Sequence, residues 1–220
     1  MPIYHHYHHP PAIVMRVGDK RPVPLTPGLK QEYERLYTTQ VINLSYEPLI
    51  ESGIAKITYG TSRYKDVEAR TGVPWYVIGV LHLLECDSSF ERHLHNGDPL
   101  KHKTVNVPVG RPLQSKWTWE DSAVDAIKYE AKNNWSARGL KPTDWSLGAT
   151  LYRLEAWNGF GSRNHGVATP FLWSGTKFYT KGKYGSDGKW NPELRSQQIG
   201  AAVLLYTMNK RELIKFPINI

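Results

Sequence analysis

Apolar residues recur at helical spacing along most of the chain. Leu29, Tyr33 and Leu36 share one helical face, which predicts a helix over this segment. The helix is expected to begin at Thr26 and Pro27, because proline suits a first helical turn. The same kind of pattern predicts further helices over residues 41–58, 62–71, 143–157 and 192–208, and a capping box at Thr118 and Asp121 predicts one more.

The segment from Val73 to Leu84 has almost no polar face. This pattern predicts a helix that is buried on nearly all sides. The helix is expected to end near Glu85, which follows six apolar residues in eight positions. Because a carboxylate at a helix C-terminus opposes the helix dipole, its presence there suggests a functional role.

Residues 96–113 differ in character from the helical segments. Asn96–Pro99 is turn-forming, Thr104–Val107 has strand propensity, and Pro108 and Gly110 close the piece. We expect a small β-hairpin or an irregular lobe here, and a long surface loop over residues 160–191. The predicted fold is therefore mainly α, a helical domain with a small β-hairpin lobe and a cleft with Glu85 at its floor.

The first 27 residues are predicted to form an extended arm preceding a folded domain over residues 28–220. The arm contains six prolines and no sustained periodicity. We expect it to lie on the domain or on a partner, such as a virion protein, although four histidines leave adventitious metal binding open: His5, His6, His8 and His9.

Composition narrows the class of protein. Of 220 residues, 40% are hydrophobic, which is enough for a folded core, and a single cysteine, Cys86, excludes an internal disulfide. The net charge of +8 suits a polyanion: a nucleic acid, an anionic membrane or an acidic cell-wall polymer. The longest apolar run, residues 77–81, is too short to predict a membrane span. No secretory signal is evident, so synthesis in the cytoplasm is expected, with action on a wall after release or delivery in a particle.

Three residues form a candidate constellation for glycoside cleavage. This reaction needs a carboxylic acid that protonates the leaving oxygen, and an apolar setting keeps such a group neutral. Glu85 meets that condition by its position. Asp98, on the predicted turn, and Thr104, on the predicted hairpin, are candidates for holding the attacking water or stabilising charge.

The order of Glu85, Asp98 and Thr104 resembles that of the phage-type lysozymes, with the Asp–Thr interval the same and the Glu–Asp interval longer. Glu85–Phe90 also looks like the Glu-Ser-x-Phe segment of goose-type lysozymes and lytic transglycosylases. Glu155–Gly161 is similar to the Ala-Tyr-Asn-x-Gly segment of the same superfamily. The transglycosylase Gly-Leu-Met-Gln signature is absent. Residues 72–208 as a whole look like a lysozyme-family group common in phage and bacterial genomes, and the segments that carry this likeness are HLHNGDPL at residues 93–100 and the LWSGT…GKY…DGKW…QQ-x-GAAVLL pattern within residues 172–205.

The resemblance implies that residues 28–220 form a lysozyme-like catalytic domain. It also implies a muramidase that cleaves bacterial peptidoglycan without a metal or an organic cofactor. By the same resemblance, Trp157 and Asn158 would line the sugar-binding cleft. The 173–184 loop, rich in lysine and aromatic residues, is expected to bind the glycan at its rim through Trp173, Tyr179 and Tyr184. Residues 178–184 also fit a nucleic-acid patch, but we expect no nucleic-acid partner, because the acid constellation lies on the same chain.

Several residues and functions have alternatives. His93 and His95 are a weak metal pair and more typical of hydrogen-bonded loop residues, and Glu91 is a rival second carboxylate. Glu155 fits either a salt-bridged core or the cleft. A lytic transglycosylase and a non-catalytic glycan-binding or virion structural protein are the alternative functions.

Overall fold

The computed structural model describes residues 23–185 and 188–216, so most of the predicted arm lies outside the described residues. The mainly helical class with a small β part is confirmed. The described helices are α1 (Pro27–Thr39), α2 (Glu47–Tyr59), α3 (Thr61–Thr71), α4 (Trp75–Cys86), α5 (Trp119–Asn133), α6 (Leu147–Asn158), α7 (Pro170–Trp173) and α8 (Ala201–Lys210). Strands β1 (Lys183–Tyr184) and β2 (Trp190–Asn191) form an antiparallel pair, and short 3₁₀ turns cover Leu44–Tyr46 and Gly161–His165.

Local chemistry sets the helix boundaries that the sequence predicted. The Thr26 side chain accepts a hydrogen bond from the backbone N–H of Leu29 at 3.2 Å, which caps α1. Thr118 and Asp121 form the predicted capping box of α5. Gly72 ends α3 with a φ of 73°, a left-handed conformation that glycine adopts without strain.

Helix α4 is the buried centre of the fold. Every residue from Val77 to Cys86 is buried, as the apolar pattern predicted. The helix packs against α2, α3 and α8, while α1 packs against α6. Gly79 permits the close approach of α2, because a Cβ at this position would lie 2.8 Å from the Ile57 side chain.

The last helix begins later than its apolar pattern predicted. Helix α8 starts at Ala201, and residues 192–200 are not helical. Gly200 instead donates its backbone N–H to the Ser174 carbonyl oxygen at 2.9 Å. A Cβ at Gly200 would lie 2.2 Å from the Leu172 carbonyl oxygen, so the chain enters α8 in direct contact with the end of α7.

The hairpin does not lie where strand propensity placed it. Residues 96–113 contain no named strand and form the irregular lobe that was the alternative expectation. The two-stranded sheet lies instead within residues 160–191, the predicted surface loop.

No helix in the described part of the chain is both long enough and apolar enough to cross a membrane.

Candidate functional site

Glu85 lies in the last turn of α4 with a side chain that is 0% exposed. Its Oε1 atom accepts a hydrogen bond from the indole Nε1–H of Trp157 at 2.8 Å. Trp157 is also buried and lies in the last turn of α6. The two helix ends therefore meet at a carboxyl group with a defined orientation.

The chain leaves α4 through a turn of unusual backbone geometry. Asp87 and Ser88 both adopt left-handed conformations, with φ of 55° and 58°. The Asp87 carboxylate pairs with Lys56 at 2.6 Å, and Gln198 donates its side-chain amide to the Leu84 carbonyl oxygen at 2.9 Å. Residues from α2 and from the segment before α8 thus hold the helix end that carries Glu85.

Asp98 is buried, and its carboxylate accepts hydrogen bonds from within the 96–113 loop. The donors are the backbone N–H groups of Val105 (2.8 Å) and Asn106 (2.9 Å) and the side-chain amides of Asn106 (2.6 Å) and Asn96 (3.1 Å). Burial acts to raise the pKa of Asp98, but these hydrogen bonds outweigh it and hold the pKa below its ordinary value. Asp98 therefore organises the loop as an ionised acceptor.

Thr104 has a similar place in the loop. Its hydroxyl donates to the Pro108 carbonyl oxygen and accepts the backbone N–H of Arg111 at 2.9 Å. The Thr104 backbone also bonds to Arg111 and Gly110, at 2.8 Å in each case. Arg111 in turn makes a two-pronged ion pair with Asp125 of α5, at 2.8 and 2.6 Å, which anchors the loop to the helical domain.

His93 and His95 are hydrogen-bonded loop residues, as the second interpretation expected. His93 contacts the Ser122 hydroxyl through Nδ1 and the His102 carbonyl oxygen through Nε2, both at 2.6 Å. His95 contacts the Asp125 carboxylate at 2.9 Å. Burial lowers the pKa of both histidines. Within residues 23–185 and 188–216, no group of three or more His, Cys, Asp or Glu side chains is arranged to hold a metal ion.

Glu155 belongs to a buried ion pair. Its carboxylate accepts hydrogen bonds from the Tyr33 hydroxyl and from Arg163, at 2.9 and 2.8 Å. Burial raises the pKa of Glu155, although Arg163 opposes the shift. These contacts fit the salt-bridged core interpretation. Glu91, the rival second carboxylate, is exposed.

The expected glycan-binding residues separate into two groups. Trp157, Trp173 and Tyr179 are buried, and the Tyr179 hydroxyl accepts the backbone N–H of Ser196 at 3.1 Å. Their ring faces lie in the core, so direct sugar contact is not available to them in this structure. Asn158 and Tyr184 are half-buried and reach the surface.

Tyr184 belongs to a surface group that sequence reasoning missed, here called the aromatic cluster: Tyr184, Trp190 and His165. The β1–β2 pairing sets Tyr184 opposite Trp190, with ring centroids 5.2 Å apart, and His165 stacks on Trp190 at 3.9 Å. The glycines at 185 and 188, between the two strands, are the hairpin signal that could have revealed this arrangement.

The aromatic cluster and Glu85 lie at the same end of α6. Trp157, which contacts Glu85, is in the last turn of α6, and Gly161 follows shortly after that helix. A Cβ at Gly161 would lie 2.7 Å from the Tyr184 ring, so the glycine lets the cluster pack against this end. The short segment from Trp157 to Gly161 thus connects the residue that binds the buried Glu85 carboxyl group with the residue that packs against the aromatic cluster.

Comparisons of the chain with protein-family models, with curated proteins and with solved structures find no match. Chemically, the arrangement combines a water-shielded carboxyl group, suited to proton transfer, with a nearby aromatic surface suited to stacking on sugar faces.

Proposed function

We propose that the protein is a peptidoglycan hydrolase of the muramidase type, cleaving the β-1,4 bond between N-acetylmuramic acid and N-acetylglucosamine, with Glu85 as general acid. The observation that carries this proposal is the complete burial of Glu85 at the end of an apolar helix, with its carboxyl group bound by Trp157. A low-dielectric setting favours the neutral carboxylic acid, the form that can protonate the leaving sugar oxygen.

The surface near this end of α6 supports a glycan substrate. Tyr184 and Trp190 present partly exposed rings, and Asn158 adds an amide group at the end of the helix. Flat apolar rings suit sugar faces, while an amide side chain has both donors and an acceptor for sugar hydroxyls. The net charge of +8 suits an anionic wall polymer.

Substrate access to Glu85 requires movement. Because the Glu85 side chain is fully buried, a glycosidic oxygen can reach its carboxyl group only when neighbouring side chains move aside. Lid-like rearrangements that accompany substrate binding are common in enzymes, and they exclude water once the substrate is in place. In the proposed mechanism, glycan binding at the aromatic surface provides the free energy for this opening.

A lytic transglycosylase is the second candidate, and the contacts of Asp98 favour it. Hydrolysis uses a second group to activate water, the role expected for Asp98 and Thr104. The contacts of both side chains lie within the 96–113 loop, so the water-holding role stays a prediction. A transglycosylase needs no such group, because a hydroxyl of the muramic acid attacks its own anomeric carbon. The leaving oxygen takes the proton of Glu85 as the glycosidic bond breaks, and the resulting Glu85 carboxylate takes the proton of the attacking hydroxyl as the new ring bond forms. The product is an anhydro sugar without a new reducing end.

The deciding experiment compares Glu85→Gln with Glu91→Gln on purified peptidoglycan. Glu85→Gln keeps the shape of the side chain but removes the transferable proton, so wall clearance should fall by about a hundredfold or more. Glu91→Gln makes the same chemical change at an exposed acid nearby and should leave clearance unchanged. Clearance by Glu85→Gln at the parental rate would show that the mechanism is wrong.

Product analysis of the parent separates the candidate functions. New reducing ends indicate a hydrolase, and anhydro-muramic products indicate a transglycosylase. A parent protein that sediments with peptidoglycan yet releases neither product would instead support a non-catalytic glycan-binding protein.

A further inference from the structure

The 96–113 loop presents aliphatic side chains to solvent. Val105, Val107, Val109 and Leu113 are 72%, 61%, 67% and 69% exposed, and they are four of the nine large hydrophobic residues exposed in the described part of the chain. Single exposed apolar residues are ordinary on protein surfaces, but a cluster within one short loop is characteristic of an interaction site.

The loop is built to hold these side chains outward. Thr104 and Pro108, which lie on either side of the exposed segment 105–107, are buried, and the Thr104 hydroxyl bonds to both Pro108 and Arg111. The Asp98 carboxylate binds the backbone N–H groups at Val105 and Asn106. The valines are thus exposed by a hydrogen-bonded scaffold whose polar groups face inward.

The same stretch is strongly basic. No acidic residue occurs from Pro99 to Trp119. Three lysines in it are exposed and take part in no ion pair among the described residues: Lys101, Lys103 and Lys116. The exposed valines and Leu113, here called the apolar tip of the loop, are therefore bordered by lysines whose positive charge is not balanced by an ion pair among the described residues.

We propose that the 96–113 loop binds the surface of a bilayer rich in anionic lipids, with the valines and Leu113 entering the headgroup–acyl boundary. The lysines would then contact lipid phosphates. Apolar insertion or charge alone gives weak, reversible binding, and stable membrane attachment generally needs two signals, such as an apolar group together with a basic patch. A sugar polymer fits this tip less well, because sugars are recognised by aromatic faces and hydrogen-bonding groups, which the valines lack. The inference goes beyond the proposed function, since it concerns a lipid surface and a different loop.

The first test is sedimentation of the full chain with glycan-free vesicles. The protein should sediment with vesicles of phosphatidylglycerol and phosphatidylcholine. Binding should fall as salt rises, and it should be much weaker with phosphatidylcholine alone. A parent protein that remains in the supernatant with the anionic vesicles overturns the inference.

Matched variants distinguish vesicle binding by the 96–113 loop from non-specific adsorption through other exposed apolar residues. The triple change V105T/V107T/V109T keeps side-chain shape and removes apolar surface, so the partition coefficient should fall by about tenfold or more. The control L44S/Y59S removes two apolar residues that are 80% and 89% exposed elsewhere, and should bind as the parent does. Equal binding by the triple variant and the parent overturns the inference.

A label reports insertion directly. V107C carrying an environment-sensitive fluorophore should shift its emission to the blue on anionic vesicles, whereas labelled L44C should not. The native Cys86 is buried and should not react with the label in the folded protein.

The triple threonine variant should sediment with purified peptidoglycan as the parent does. If it loses peptidoglycan binding and keeps vesicle binding, the loop serves the glycan and the membrane inference is wrong.

Discussion

At the residue scale, the hydrogen bond between Trp157 and Glu85 joins the two helix ends that carry the proposed chemistry. An indole N–H donates to a carboxyl oxygen in either protonation state of the acid. The bond therefore fixes the direction of the Glu85 side chain, while burial of the carboxyl group favours its neutral form and the N–H donor favours the carboxylate. Trp157 is in this sense a positioning residue for the proposed acid.

Replacing Trp157 by phenylalanine tests that role. The ring largely fills the same space, but Glu85 loses a buried hydrogen bond, so the free energy of unfolding should fall by about 1–3 kcal/mol. Trp119→Phe is the control, because Trp119 is equally buried and its indole nitrogen makes no hydrogen bond in the described structure. Denaturant unfolding measures the first effect. Peptidoglycan clearance should fall only for Trp157→Phe, and equal loss in both variants would contradict the positioning role.

His82 is the residue whose ionisation most directly links stability to pH. It is buried in α4, where its Nε2–H faces the Ser89 carbonyl oxygen at 3.1 Å and its Nδ1 faces the Tyr64 hydroxyl at 2.9 Å. A carbonyl oxygen can only accept, so this pattern suits the neutral imidazole. Burial lowers the pKa of His82 to about 3, although the bond to Ser89 opposes the shift.

The sign of the pH dependence follows from that shift. Between about pH 6.5, the usual histidine pKa, and about pH 3, the unfolded chain binds a proton that folded His82 does not. The free energy of unfolding should therefore fall as the pH drops through this interval, by roughly 2–5 kcal/mol. His82→Gln retains a donor and an acceptor and should reduce the change in the free energy of unfolding with pH. The pH dependence that remains should include contributions from His93 and His95, whose pKa values are also lowered by burial. A parental stability that does not change over this interval would contradict this account.

At the element scale, the 96–113 loop shows how side chains can replace strand pairing. Thr104–Val107 has strand propensity, which is why a hairpin was one of the two expectations for this segment. Asp98 and Thr104 instead satisfy the backbone N–H groups of Val105, Asn106 and Arg111 within the loop. A pattern based on hydrophobicity does not detect this competition between side chains and backbone.

Asp98→Asn distinguishes a loop-organising role from a water-holding one. The amide has one acceptor oxygen where the carboxylate has two, so loop donors lose a partner and the free energy of unfolding should fall by about 1–3 kcal/mol. Asp66→Asn, at an exposed acid that pairs with Arg70 at 3.3 Å, should cost much less. Chemical denaturation measures both. Unchanged stability of Asp98→Asn together with a large loss of peptidoglycan clearance would favour the water-holding role.

The late start of α8 and the absence of a hairpin in the 96–113 loop have different causes. The apolar residues of α8 have helical spacing, but the helix begins only after Gly200, because the backbone there contacts Leu172 in α7 and Ser174 directly after it. The sequence contains no local signal for a contact between residues so distant along the chain. Helix ends set by capping residues or by Gly72 were predicted correctly, because those signals are local.

At the scale of the whole molecule, features set by local signals are predicted from the sequence, whereas features set by contacts between distant residues are not. Periodicity predicts the mainly helical class, and the apolar residues before Glu85 predict the burial of that residue. The neighbour of Glu85 could not be predicted from spacing, because Trp157 lies 72 residues away along the chain. Pairing of Tyr184 with Trp190 and stacking of His165 likewise depend on tertiary packing.

The central position of α4 has a consequence for synthesis of the protein. Helix α4 covers its apolar surface partly with α8, the last helix of the described chain. A ribosome reaches α8 only after it has translated residues 87–200, so the nascent chain carries an incompletely covered apolar helix over that interval. We expect such a chain to bind chaperones that recognise exposed apolar segments until α8 emerges.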